Sequence, residues 1–371
     1  MLLFFVVACT NSVDKGKKLD VVTDVVLEEQ TGTKGPEIVS SFVFVGCNRV
    51  DRSDEGNPAA TDASTANLAA LKRIYQDITA LEHQPELFFF LGDLVLGEST
   101  TEKLDHQLEA WVKLYNNTAF SAISESGIEL VAVPGNHEML TYADHGNPEH
   151  DEWPLKGATE LWMKHMSPYI PSDFEHVSGA DSLNNQATFS FVRNNMGFIV
   201  MNTDTYNPPS EAAPYGLEGM IPLNWIETKI KAFQEDPKIE HIFVLGHKPY
   251  YVGGKPQTGH EGFPDGPKLW PLLYQSRVAA MLSAHVHDYD REQPNGDGTY
   301  QIIAGNGGSP GSAKFFGYTI INMLSDGTLE LESRGFNVGK PYYKAVPENP
   351  MFVRDSTILT WAKNKNPYEG S

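Results

Sequence analysis

Apolar residues gather in short runs along this chain, and each run stops at a glycine or a polar residue. Ile38 to Val45 is the first, closing at Gly46-Cys47. After a loop containing Gly, Pro and Asp, the residues Leu68, Leu71, Ile74, Ile78 and Leu81 recur at helical spacing, which predicts strand, loop and helix. The unit then repeats. Leu87 to Leu91 stops at Gly92-Asp93 and leads into a helical stretch from Leu104 to Leu114, and Ile128 to Val133 stops at Pro134-Gly135-Asn136-His137. Gly197 to Met201 ends at Asn202-Thr203-Asp204, Ile242 to Leu245 at Gly246-His247, and Val278 to Leu282 at Ser283-Ala284-His285. Helical segments near Leu223 to Phe233 and Leu269 to Gln275 lie between them. Strands alternating with helices predict an α/β fold with largely parallel central strands. Beyond Tyr300, Gln301 to Ala304, Tyr318 to Leu324 and Leu329 to Ser333 read as adjoining strands of a second sheet, with Ser325-Asp326-Gly327 as a hairpin turn.

The pattern places the globular domain at residues 40–335 and leaves the Pro- and Tyr-rich stretch 336–371 as an unassigned C-terminal extension. Residues 1–8 (MLLFFVVA) are apolar, too short to span a bilayer, and run directly into Cys9. This resembles a bacterial lipoprotein signal, with Ala8 before the cleavage point and Cys9 as the lipidated first residue, although no basic residue precedes the apolar run. A buried apolar N-terminal strand is the other reading. Residues 9–39 are polar and charged without sustained periodicity, as a flexible tether would be. Together these features predict a lipid-anchored protein of the bacterial cell envelope, periplasmic or surface-exposed. With Cys9 lipidated, Cys47 has no disulfide partner, so the core must hold itself.

Charge narrows the partners. The chain carries 28 basic and 48 acidic residues, a formal net charge of -20, which repels nucleic acid and anionic membrane surfaces at long range. A small phosphate substrate would need positive charge supplied locally, and bound metal ions supply it.

In open α/β sheets, ligands bind beyond the carboxyl ends of the strands, which is where the polar motifs of this chain stand. Asp93, Asn136, His247, His285 and His287 combine a carboxylate able to bridge two cations, a neutral amide oxygen, and imidazoles suited to Zn or Fe. Eight other histidines, His83, His106, His145, His150, His165, His176, His241 and His260, end no apolar run and read as solvated or structural.

Gly92-Asp93, Gly135-Asn136-His137-Glu138, Gly246-His247 and His285-Val286-His287, in that order, resemble the calcineurin-like metallophosphoesterase family. Trp225, His247-Lys248-Pro249-Tyr250 and the stretch from His285 to Arg291 are similar to its purple acid phosphatase branch, and the likeness covers about Ser40 to Ser333. The resemblance implies a four-layer α/β/β/α sandwich of two mixed β-sheets. It also implies two divalent or trivalent metal ions (Fe, Zn or Mn), and hydrolysis of a phosphomonoester or phosphodiester by a metal-bound hydroxide. By the same likeness Asp93 bridges both metals, Asn136, His247 and His285 hold the second, and His287 belongs to the first. His137 is then the catalytic side chain that stabilises phosphoryl oxygens or protonates the leaving group; its alternative is a turn residue orienting Asn136.

The family's first motif, Asp-x-His or Asp-x-Gly after the first strand, is replaced here by Gly46-Cys47-Asn48-Arg49. Cys47 is either a thiolate ligand, thiolates being good soft ligands, or a buried strand residue beside a single metal. Arg49, with Asn48, is either a phosphate clamp or part of a surface salt bridge. Leu96 stands where purple acid phosphatases carry a metal-binding Tyr, so no tyrosinate charge-transfer colour is expected. Two further readings stay open: a metal-binding protein of this fold that has lost turnover, and a nuclease, against which the acidic charge argues. The segment from Thr141 to Asp181, with Trp153 and Trp162, is expected to shape specificity.

Overall fold

The computed structural model describes residues 35–50, 62–97, 100–141, 153–177, 187–205, 219–338 and 351–361. The signal segment at residues 1–8 and nearly all of the tether expected at 9–39 lie outside them. Strands β1 (Ile38–Val45), β2 (Leu87–Leu91) and β3 (Glu129–Val133) run parallel, with helices α1 (Leu68–Thr79), α2 (Thr101–Tyr115) and α3 (Ala122–Ser126) in the crossovers. A single turn, α4 (Asn136–Met139), precedes a short ribbon of β4 (Leu140–Thr141) and β5 (Trp153–Pro154), and α5 (Ala158–Met166) follows. Next come β6 (Glu175–His176), β7 (Phe189–Arg193), β8 (Met196–Val200), α6 (Leu223–Glu235) and β9 (His241–Leu245). A second ribbon, β10 (Tyr251–Val252) with β11 (Lys255–Pro256), leads to α7 (Gly266–Gln275) and β12 (Ala280–Ser283). The remaining strands are β13 (Tyr289–Glu292), β14 (Tyr300–Ala304), β15 (Phe315–Leu324), β16 (Leu329–Asn337) and β17 (Phe352–Leu359).

Two mixed sheets result among the described residues, ordered β17-β16-β15-β1-β2-β3 and β13-β14-β12-β9-β8-β7-β6. Side chains of a strand alternate between faces, and here both faces are buried, which is why the strands read as continuous apolar runs. In β1, Phe42 and Phe44 enter the layer between the sheets while Val43 and Val45 meet the helices. Leu87, Phe89 and Leu91 of β2 alternate with Phe88 and Phe90 in the same way, and in β9 Phe243 and Leu245 face inward while Ile242 and Val244 pack under α6 and α7. The inner layer is held by aromatic rings: Phe42 meets Phe198 at 5.2 Å and Phe243 at 5.0 Å, both close to perpendicular. Burying each such side chain contributes about 1.5–3 kcal/mol. The expected four-layer sandwich of two mixed sheets is therefore present.

Two expectations change. Tyr318–Leu324 and Leu329–Ser333 do not join Gln301–Ala304 in one later sheet: β15 pairs antiparallel with β1 and closes the first sheet, while β14 pairs parallel with β12 in the second. The cause is that β15 is apolar on both faces, so it needs an interior position beside β1 rather than an edge. Of the segment expected to shape specificity, Trp162 is fully buried in the helix-side core, and residues 142–152 and 178–181 lie outside the described residues. The stretch left unassigned from residue 336 supplies β17, which pairs antiparallel with β16. Among the described residues no helix is long and apolar enough to cross a membrane.

Candidate metal centre

The polar motifs meet because the backbone allows unusually close approach at two glycines. A Cβ on Gly92, which has φ +83°, would lie 2.5 Å from His247 Nδ1, and one on Gly135 would lie 2.5 Å from Asp93 Oδ1. Only glycine fits either place, and the two vacated volumes bring the ends of β2, β3 and β9 together. Cys47 (φ 58°), Asp93 (φ 56°) and His285 (φ 62°) are held in the left-handed region, a conformation that costs non-glycine residues about 1–3 kcal/mol each and clusters at functional sites. The Asp93 carbonyl accepts from the backbone N–H groups of Asn48 at 3.0 Å and Arg49 at 3.1 Å, and Cys47 N–H donates to the Gly92 carbonyl at 3.0 Å.

Glu138, quoted in the sequence motif but given no role there, is the brace beneath these loops. Its carboxylate accepts from Asp93 N at 3.0 Å, Val95 N at 3.0 Å and Gly135 N at 2.7 Å. One buried side chain thus ties the Asp93 loop to the Asn136 loop. Burial, followed by repulsion from the Asp93 carboxylate, pushes its pKa up to about 7.

Above the brace, acceptor atoms converge. His247 Nε2 lies 3.0 Å from Asn136 Oδ1, 3.2 Å from Asp93 Oδ1 and 3.2 Å from His285 Nδ1, and His285 Nδ1 is 3.1 Å from Asn136 Oδ1. His247 Nδ1 donates to the Leu91 carbonyl at 2.6 Å, so a neutral His247 presents a lone pair to the cluster. Lone pairs at these separations repel unless a cation sits among them. Bonds of about 2.0–2.1 Å to a first-row divalent ion correspond to donor-donor edges of about 2.9–3.4 Å in octahedral or tetrahedral geometry. The three separations from His247 and the one between His285 and Asn136 fall in that range, so these donors suit such an ion.

On the far side of Asp93 stands the altered corner. The ligand atoms of Cys47, Asp93 and His247 lie within 4.8 Å of one another, so Cys47, although buried, belongs to the cluster. Burial and then the Asp93 carboxylate push the thiol pKa well up, and the backbone N–H of His285 donates to the sulfur. Burial and then Arg49 hold His287 down to about 4, which leaves the ring neutral, and its Nδ1 is tied to the Pro310 carbonyl. Arg49 Nε is 3.7 Å from Asp93 Oδ2 and has no hydrogen-bond partner among the described residues. Arg49 is thus turned toward the site, where its charge pairs with Asp93.

A cleft of about 440 Å³ opens over this cluster, and Arg49, Asp93, Asn136, His137, His285 and His287 line it together with His260 and Glu261. His137 is oriented by the Leu96 carbonyl, 2.9 Å from its Nδ1. His260, read from sequence as solvated or structural, approaches the His285 ring at 5.0 Å. It stands in the loop between β11 and α7, after no apolar run, so strand-end logic passed over it. Asn48, in contrast, is not a cleft residue: it is fully buried, and its amide donates to the carbonyls of Asn67 at 3.3 Å and Gly307 at 2.7 Å. The left-handed turn at Cys47 sends Arg49 outward and Asn48 inward.

Burial pulls the His247 pKa down, but the Asp93 carboxylate, with Asp204 and the Leu91 carbonyl, outweighs it and raises the value to about 9. In metal-free protein a proton therefore takes the place of the cation among the donors, and metal binding must expel it. Apparent affinity should rise by about tenfold per pH unit below that value for each proton displaced. Titrating Zn²⁺ into chelator-stripped protein at pH 7 in weak buffer should release at least one proton per ion, and uptake without proton release would show that His247 is already neutral.

The sequence profile of the calcineurin-like phosphoesterase family matches residues 19–289. Among solved structures, GAP50, described as the anchor in the inner membrane complex of Plasmodium, is similar with a TM-score of 0.50 and 15% identity, over 89% of this chain and 91% of that one. A structure of PhoD is similar with a TM-score of 0.50 and 13% identity, over 88% of this chain and 70% of that one. At such identities these two likenesses show the fold alone. No curated protein matches the sequence. The family match over most of the chain, on a fold and a donor set that suit it, places the chain in the calcineurin-like phosphoesterases, as a metal-dependent hydrolase of phosphoric ester bonds.

Proposed function

We propose that the protein hydrolyses small phosphate esters, mono- or diesters, outside the cytoplasm. The observation that carries this reading is the convergence of the Asp93, Asn136, His247 and His285 acceptors beneath a cleft that also presents Arg49, His137 and His260. Cations bound there would polarise the phosphoryl group and acidify a water molecule. Asp93, Asn136, His247 and His285 would hold one ion, and Cys47, Asp93 and His287 would hold the other, with sulfur favouring Zn or Fe over harder ions. Arg49 and His137 would bind the phosphoryl oxygens, and His260, beside His285 in the same cleft, would deliver the proton to the departing oxygen. The cleft volume suits a small molecule, and the net charge of -20 disfavours long polyanions.

Purified protein should retain transition metal and cleave an aryl phosphate. Asp93→Asn should lower kcat/KM by more than about 100-fold, beyond the 10–100-fold usual for groups around a ligand. Wild-type protein that binds metal but turns over no aryl phosphate or phosphodiester would leave a binding protein instead. Elemental analysis of Cys47→Ala should find one ion where the wild type holds two, and an unchanged ratio would return Cys47 to the core. The apolar run ending at Cys9 supports lipid anchoring; metabolic labelling with a fatty-acid analogue should mark the wild type and not Cys9→Ala, and equal labelling of both would remove the anchor.

A further inference from the structure

The strand β13 leaves the metal centre directly, since its first residue, Tyr289, stands two positions after His287. It has only four residues, is half-buried, and is the edge of its sheet, with β14 as its one neighbour. Such an arm is weakly held by its own ladder. Tyr289 and Arg291 alternate along it and so point the same way; they and Gln293, just past its end, all donate to residues 355–360. Tyr289 Oη reaches Asp355 Oδ2 at 2.7 Å, Arg291 Nε reaches the same oxygen at 2.7 Å, and Arg291 Nη2 reaches Asp355 Oδ1 at 3.2 Å. Gln293 Nε2 donates to the Thr360 carbonyl at 2.9 Å, and Tyr300 Oη of β14 lies 3.2 Å from that carbonyl.

β17, which carries Asp355, is the edge strand of the other sheet. The fork from Arg291 to Asp355 is therefore a staple across the open side of the sandwich, and a two-point guanidinium–carboxylate contact fixes orientation as well as distance. β17 also lies wholly beyond residue 289, where the family match stops.

We propose that Asp355 is a positioning residue for the metal centre: by holding Tyr289 and Arg291 it fixes the arm on which His287 stands, so the C-terminal strand completes the first metal position. The inference rests on His287 being a metal ligand, and not on hydrolysis. Metal sites tolerate misplacement of only about 0.5 Å in their ligands, so a loosened arm weakens the ion it serves and spares the one held by Asn136, His247 and His285.

Zn²⁺ stoichiometry and affinity are to be measured by equilibrium dialysis with elemental analysis, alongside thermal melting, on the wild type, Asp355→Leu, Asp355→Glu and Leu359→Ala. Leu359 is a core residue of the same strand and takes no part in the hydrogen bonds from Tyr289, Arg291 and Gln293, so it controls for general weakening of β17. Asp355→Leu should keep one ion at wild-type affinity and bind the other about 10–100-fold more weakly. Asp355→Glu should recover much of that loss, and Leu359→Ala should melt lower with both affinities kept. Wild-type affinity for both ions in Asp355→Leu overturns the proposal, as does equal loss of the weaker ion in Leu359→Ala. If Asp355→Leu does not fold, Tyr289→Phe and Arg291→Met decide by the same measurement, unchanged affinity in both overturning it. A wild type that binds a single ion removes the reading of His287 itself, a result separate from failure of the staple.

Discussion

His247 Nε2 lies 3.0–3.2 Å from acceptor atoms of Asp93, Asn136 and His285, and His285 Nδ1 lies 3.1 Å from Asn136, in a place almost closed to water. Mutual repulsion of lone pairs would force this cluster apart unless a positive charge occupied its centre, and it would not form unless the surrounding backbone left it no room to spread. Much of the local structure answers to those two conditions. Gly92 and Gly135 remove the side chains that would keep the loops apart, and Glu138 collects three backbone N–H groups to hold the loops in place. Directly after His247, Lys248 Nζ sits 3.2 Å from Asp204 Oδ1 with both side chains fully buried, pinning the end of β9 to the turn after β8. The aromatic layer between the sheets then keeps the strand ends from sliding.

The framework was largely legible in the sequence because every central strand is buried on both faces. β1 and β2 begin and end where their apolar runs do, and the donors at their ends could be named from position alone. What was missed follows from the same logic. β13 (YDRE) is half-buried and polar, and β17 (FVRDSTIL) has only one residue fully inside, so neither carries an apolar signal. Sheet membership was misjudged for β15 and β16 because pairing partners far apart in sequence leave no local mark.

The site was legible where residue type and strand end coincide, and illegible elsewhere. Cys47 and Arg49 could be flagged only as alternatives, since the direction of a side chain after a left-handed residue cannot be read from composition; the turn at φ 58° turns Arg49 to the cleft and Asn48 away from it. His260 arrives from a loop and is recognised only when the His285 ring is seen 5.0 Å away. The Leu96 carbonyl that orients His137 is a backbone group, invisible to any reading of side chains.

The pairing of β1 with β15 has a consequence for how the molecule comes into being. Phe42 and Ile321 are opposite one another, so the first sheet acquires its central neighbour only after nearly the whole chain has been made. Contacts between such distant segments form slowly because a long loop must be closed first. A growing chain can build β1 to β3 with their helices, yet His285 and His287 arrive late and the strand that staples their arm arrives last. Metal loading therefore waits for these late ligands: a chain cut short before β12 would present the centre's early ligands without His285 and His287, whereas one cut just before β17 would carry every ligand and lack only the staple.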